Sequence, residues 1–144
     1  MAAMKMNIRA FQEKDTEEVI RLWTDCGLTV PWNNSNKDIQ RKLAIQPELF
    51  LVGCMERLII ASVMAGYDGH RGWIYYLAVH PAHQHSGFGR EIMLEAERLL
   101  LSMGCSKINL QVRSSNTSLI EFYQSIGYKT DEVISMGKRL VKDC

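Results

Sequence analysis

A chain of 144 residues, 47% hydrophobic and 23% charged, is long enough for one domain with its own core and too short for two ordinary ones. A formal net charge of +1 excludes a broad electrostatic pull toward nucleic acid or anionic lipid, so any anionic ligand must be held by local geometry. Four cysteines (Cys26, Cys54, Cys105 and Cys144) lack C-x-x-C spacing, which argues against a zinc site or disulfide framework and reads as small buried hydrophobes in a reducing cytosol.

"MAAMKMNIRAF" lacks the apolar stretch of a signal peptide, and nowhere do eighteen apolar residues run together, so a cytoplasmic location without a membrane partner is expected. Asn7 to Phe11 alternates and predicts a first strand. In "KDTEEVIRLWTDCG", Asp15 and Glu18 are spaced as a capping box. Val19, Leu22, Trp23 and Cys26 share one helical face before the stop at Gly27. "TVPWNNSN" is loop, and Ser35 and Asp38 are placed to cap a shorter helix through "DIQRKLAI".

"ELFLVGCM" and "LIIASVMAGY" predict a hairpin turning at Glu56 and Arg57, and "DGHRG" leads into a third run, "WIYYLAV". After a glycine-bearing loop, a helix is predicted from about Phe88 to Met103, with Ile92, Ala96, Leu99 and Met103 buried and Gly104 as its stop. "KINLQVR" points Ile108, Leu110 and Val112 inward. "SSNTSLIEFYQSIGY" predicts a short helix ending at Gly127, and "EVISMGKRL" a closing strand. The order β-α-α-β-β-β-α-β-α-β predicts a single α+β domain, a mixed, mostly antiparallel sheet flanked by helices.

The chemistry concentrates in "HQHSGFGREI". A strand entering a glycine-bearing loop that opens a helix leaves backbone N–H groups at the positive end of the helix dipole, a ready anion site. Gly87 and Gly89 keep side chains away from those amides, and Gln84 is placed to close the loop. Neither G-x-x-x-x-G-K-[ST] nor G-x-G-x-x-G is present. His80, His83 and His85 fall within six residues, but with no cysteine or carboxylate among them they read as solvent-facing or phosphate-adjacent, and no metal is expected.

"LAVHPAHQHSGFGREIM" resembles the [Q/R]-x-x-G-x-[G/A] segment of the GNAT superfamily of N-acetyltransferases. "NTSLIEFYQSIGYK" resembles the family's N…Y-x-x-x-G-[F/Y] helix, with Asn116, Tyr123, Gly127 and Tyr128 in place. The element order matches the family's layout from Asn7 to Leu140, and "VPWNN" with "AGYDGHRGWIYYLAVHP" is similar to the bacterial YpeA-type subgroup. The resemblance implies acetyl transfer from acetyl-CoA to a primary amine of a small molecule or peptide. Its rival is a non-catalytic acyl-CoA-binding regulator of the same fold, suggested by the lack of an Asp or Glu in "WIYYLAV".

By that resemblance, Gln84, His85, Ser86, Gly87, Phe88, Gly89 and Arg90 cradle the pyrophosphate, with Arg90 supplying charge that His85 and Ser86 do not. Leu77, Ala78 and Val79 offer strand amides to the pantetheine arm and the thioester carbonyl. Asn116 contacts the same arm, and Tyr123 protonates the departing thiolate. Tyr75, or water ordered by Tyr75 and Tyr76, is the expected base. Trp32, Asn33, Trp73 and Tyr75 are expected to line the acceptor groove, Trp32 through its π-face. Asp68 to Arg71 reads first as a turn. No basic stripe marks a nucleic-acid partner, and a homodimer is compatible with the sequence.

Overall fold

The computed structural model describes residues 5–143. Five strands lie side by side in chain order: β1 (Asn7–Ala10), β2 (Phe50–Met55), β3 (Leu58–Tyr67), β4 (Gly72–Val79) and β5 (Ile108–Leu110). The first four pair antiparallel and β5 runs parallel to β4, the mixed sheet predicted. Helices α1 (Thr16–Asp25) and α2 (Ser35–Ala44) precede β2, α3 (Phe88–Ser102) links β4 to β5, and α4 (Thr117–Ser125) follows.

Alternation along each strand gives the sheet two apolar faces, each covered by one helix pair. Against α1 and α2 lie Phe50, Val52, Met64 and Ala78 with Val19, Leu22, Trp23 and Ile39. Against α3 and α4 lie Val63, Ala65 and Ile74 with Ile92, Met93, Ala96, Leu100 and Tyr123. The buried stripe of α3 therefore runs through Met93 and Leu100; Met103 lies just past the helix end and is exposed.

Local capping differs from the sequence reading. Asp15 does not cap α1 with its side chain; its carboxylate accepts from the Gln12 N–H and from Arg9, closing the short turn before the helix. Asn34, not Ser35, caps α2 by accepting from the Lys37 N–H. That leaves the Asp38 carboxylate available for another purpose.

The predicted closing strand does not form. Residues 132–140 carry no strand, and the side-chain bonds here fall at the segment's edge: Lys107 and Asn109 donate to Asp131, and Gln111 donates to Ser135. "EVISMGKRL" lacks strict alternation, and β5 is only three residues long, so there is little ladder to extend. Val133, Ile134, Met136 and Leu140 are left largely exposed.

Two irregularities shape the middle of the sheet. Beyond Ile74 and Leu110, β4 and β5 no longer pair, so the chains splay apart and the outer edge of β4 loses its strand partner. Opposite Val63, β4 carries an extra residue, and Tyr76 adopts φ 51. A bulky residue at positive φ costs about 1–3 kcal/mol. Contacts from distant parts of the chain offset it: the Tyr76 ring stacks on Trp23 at 3.9 Å, and the Ser62 hydroxyl donates to the Tyr76 carbonyl at 2.9 Å. Trp23 Nε1 in turn donates to Ser62 at 2.8 Å, so the buried serine both donates and accepts.

Candidate active site

A cleft of about 600 Å³ opens where the sheet splays. Its walls are the α1–α2 connection (Gly27, Leu28, Val30, Asn33), α2, the central strands, and Leu119 and Tyr123 of α4. The bulge decides what faces it. Tyr75 pairs with Met64 on the α1–α2 side of the sheet, and the extra residue keeps Tyr76 on that side too. Leu77 then turns to the α3–α4 side and lines the splay.

Tyr123 reaches the cleft from α4, 6% exposed, its ring packed edge-on against Phe122 and Tyr128. Its hydroxyl has no hydrogen-bond partner among the described residues, and burial pushes the phenol's pKa well up, so it holds its proton at any working pH. A protonated, unengaged hydroxyl facing a cleft is a proton donor in waiting.

On the opposite wall, the Tyr76 hydroxyl donates to Asp38 Oδ2 at 2.5 Å. Burial, then the bond to Asp38, pushes the Tyr76 phenol up, so the carboxylate remains the basic member of the pair. Asp38 faces the cleft from α2 and also lies 3.5 Å from Arg41. Sequence reasoning looked for a carboxylate in β4 and missed this one. The available signal was the helical spacing of Asp38, Arg41 and Lys42, which puts all three on one face of α2.

The other expected site residues divide. Tyr75 lines the cleft half-exposed, but burial and then the charge of Asp68 push its phenol up, the opposite of what a base needs. Asn33 lines the cleft and accepts from Arg139 at 3.3 Å. Trp32 does not: it stays about half exposed with the Arg113 guanidinium 5.3 Å over one face of its ring, and Arg113 lines the cleft instead. Trp73 also stays out, its Nε1 donating to Asp68 at 3.4 Å. The Asp68 carboxylate accepts from the His70 and Arg71 amides at 2.8 and 2.7 Å, which makes the segment a turn.

The loop before α3 is built as an open cradle. Gln84 Nε2 donates to the Val79 carbonyl at 2.9 Å and ties the loop to the end of β4. His85 at φ 63 and Gly87 at φ 87 turn the backbone through left-handed conformations, and no side chain caps the helix that follows. A Cβ on Gly87 would meet open space, whereas one on Gly89 would lie 3.1 Å from Phe122. The bare Cα of Gly89 thus lets α3 lie close against Phe122 of α4, a packing role beside its place in the loop. Phe88 is buried and offers only its backbone; Ser86 and Arg90 are exposed. Ala78 is buried and Val79 pairs with Ala61, both at the end of the splayed strand. Asn116 does not line the cleft, and its side-chain Oδ1 caps α4 by accepting from the Leu119 N–H at 3.3 Å.

Other chemistries find less support. His80 accepts from the Ala82 N–H at 3.1 Å, and among the described residues no group of three or more His, Cys, Asp or Glu is arranged to hold a metal ion. Burial raises the thiols of Cys26 and Cys54 above their usual range, Cys105 is buried, and Cys144 lies outside the described residues. No helix among the described residues is long and apolar enough to cross a membrane.

A family model described as "Acetyltransferase (GNAT) family" matches residues 10–128. A protein of Yersinia pestis (strain Pestoides F) called "Acetyltransferase" is 48% identical over 138 residues, covering 96% of this chain and 98% of its own. A protein of Pectobacterium atrosepticum, also named an acetyltransferase, is 46% identical over 138 residues with the same coverage of 96% and 98%. Among solved structures, Ard1 from Thermoplasma volcanium is 26% identical with a TM-score of 0.74, over 85% of this chain and 81% of its own. The aminoglycoside N-acetyltransferase AAC(6')-Iy, solved with CoA, shares the fold at a TM-score of 0.74 and 14% identity, over 97% of this chain and 98% of its own.

Proposed function

Since the chain belongs to the GNAT family of acetyltransferases, we propose that it moves an acetyl group from acetyl-CoA directly to a primary amine of a small molecule or peptide. The observation that carries this reading is the pair of opposed groups across the splay. Tyr123 is a protonated phenol on one wall, and Asp38, held by Tyr76, is a carboxylate on the other.

The amine nitrogen attacks the thioester carbonyl carbon; a C–N bond forms and the C–S bond breaks. Tyr123 gives its proton to the departing sulfur. The amine arrives mostly charged at neutral pH because alkylammonium groups have a pKa near ~10.4, so it first gives one proton to Asp38 to free its lone pair. The second proton it sheds as the amide forms passes to solvent or replaces the one Tyr123 gives to sulfur. The unpaired edge of β4 beside Leu77 offers amide N–H groups to the carbonyl oxygen as it gains charge. The loop Gln84 to Arg90 offers its uncapped amides to the pyrophosphate. The rival reading, a non-catalytic regulator, rested on the lack of an Asp or Glu in "WIYYLAV"; a carboxylate supplied from α2 by Asp38 supports the enzyme instead.

The YpeA-type resemblance adds no acceptor, and the aminoglycosides named for AAC(6')-Iy do not transfer here. With Arg41 neutralised by Asp143, the cleft presents Lys42 and Arg113 against the single carboxylate of Asp38, a balance that disfavours a polycation. Acetyl-CoA tests the reading: it should raise the melting temperature dose-dependently, by an amount equivalent to about 2.7 kcal/mol at one hundred times Kd. NAD and ATP should do far less. A flat response to millimolar acetyl-CoA would overturn the assignment.

A further inference from the structure

Lys42 is a cation in want of a partner. Its side chain lies along α2 with the residue only 8% exposed, yet it makes no ion pair or hydrogen bond among the described residues. The amino group sits over the bare backbone of Gly66: a Cβ there would lie 3.8 Å from Lys42 Nζ and 3.8 Å from Gln46 Oε1. That glutamine oxygen is already engaged by the Tyr67 N–H at 2.9 Å. No fully buried side-chain nitrogen or oxygen lacks a partner among the described residues, so Lys42 Nζ touches accessible surface, and the surface it lines is the cleft. Burial lowers its pKa, with the charge of Glu48 opposing, the mark of a cation left without enough compensation.

The neighbouring charges are spoken for. Arg41 is bound by both oxygens of Asp143 at 2.7 and 2.9 Å, Asp38 accepts from Tyr76, and Arg113 lies over Trp32. Lys42 is the buried one of these cations, with neither an ion pair, a hydrogen bond nor a ring to stack on among the described residues. A buried, unpaired charge is costly, so such a site gains most from a ligand that brings the opposite charge.

Resting on the acetyltransferase reading, we propose that the acceptor carries a carboxylate as well as its amine, and that Lys42 Nζ binds this carboxylate while Asp38 receives the amine. The fold sets the separation. Asp38 and Lys42 are one helical turn apart, about 5–6 Å between Cβ atoms. Gly66 pairs with Trp73, three residues along β4 from Tyr76, or roughly 10 Å at 3.3 Å per residue. Amine and carboxylate are therefore about 6–10 Å apart. An α-amine beside its own carboxylate is too short. An ω-amino acid or a di- to tripeptide spans the distance, at up to about 3.3–3.6 Å per residue.

The test compares matched acceptors with and without the negative charge: 6-aminohexanoate against hexylamine, and triglycine against its C-terminal amide. With the full chain and saturating acetyl-CoA, wild type should favour the carboxylate member of each pair at least tenfold in kcat/KM. Lys42→Met should collapse that ratio toward one, and Lys42→Arg should restore part of it. Equal kcat/KM for both members in wild type, or an undiminished ratio in Lys42→Met, would overturn the proposal. If no amine is acetylated, calorimetric titration of the CoA-saturated protein with the same pairs decides it. Carboxylate-selective binding lost in Lys42→Met supports the anion site while the acetyltransferase reading fails; unselective binding, or none, sinks the site itself.

Discussion

Replacing Asp38 by Asn removes the proposed proton acceptor while keeping shape, since the amide oxygen still accepts from Tyr76. A positioned general base contributes about 10²–10⁴-fold, so kcat should fall by that factor, equivalent to about 2.7–5.4 kcal/mol in the barrier. The structural cost is smaller. The substitution turns a 2.5 Å charge-assisted bond into a neutral one and loses the 3.5 Å contact with Arg41. Together these are worth about 1–2 kcal/mol, a loss of a few degrees in Tm. Release of free CoA, followed with a thiol-reactive dye at saturating acceptor, gives kcat; calorimetry with acetyl-CoA gives cofactor affinity, which should not change. The kcat deficit should shrink as pH rises toward ~10, where an alkylamine arrives already neutral. A variant with kcat within about threefold of wild type and a lowered Tm would make Asp38 merely the tether of Tyr76, and the assignment of the base would fail.

Tyr123→Phe keeps the packed ring and removes the donor, so kcat should drop by about 10²–10⁴-fold with acetyl-CoA affinity preserved; unchanged turnover reduces Tyr123 to packing. Gly87→Val meets no atom but strains a left-handed backbone at φ 87, costing about 1–2 kcal/mol, and should weaken acetyl-CoA binding at least tenfold by calorimetry. Gly104→Val, strained alike at φ 94 at the other end of α3, is its control and should bind acetyl-CoA normally. Burial raises the Asp15 carboxyl's pKa, but the Arg9 and Gln12 hydrogen bonds outweigh it and hold the group below the usual carboxylate range. Its contribution is therefore complete above the unfolded value of ~3.9 and is lost as pH falls through the lower folded value. Asp15→Asn should cost about 1 kcal/mol at pH 7, allowing for the partial exposure of Arg9, and the gap to wild type should close in acid; a pH-independent gap would deny the ion pair its role.

Sequence patterns carried the local features and missed those made by distant contacts. Alternation located β1, apolar runs bounded by polar turns located β2, β3 and β4, and the Gln84–Gly89 loop announced itself by its glycines. Nothing local marks Tyr76 for positive φ; Trp23, Ser62 and Asp38 impose it from three other elements. The same bulge brings Tyr75 and Tyr76 onto one face, which strict two-residue alternation along β4 does not allow. Trp32 looked like a free aromatic wall because its partner, Arg113, is far away in the chain. The loop's glycines suggested only a cradle, whereas Gly89 also packs against Phe122 on another helix, a contact no local pattern marks. "EVISMGKRL" suggested a strand, but whether it forms depends on how much of β5 is available to pair.

Direct transfer is the central claim, and a single turnover tests it. Protein loaded with acetyl-CoA is mixed with an excess of 6-aminohexanoate or hexylamine, quenched at intervals, and weighed by mass spectrometry along with the acceptor. The account predicts N-acetylated acceptor appearing one for one with free CoA, while the protein's own mass stays constant throughout. A protein that gains one acetyl unit before product appears would contradict direct transfer, and loss of acetyl-CoA without any acetylated amine would contradict the acetyltransferase itself.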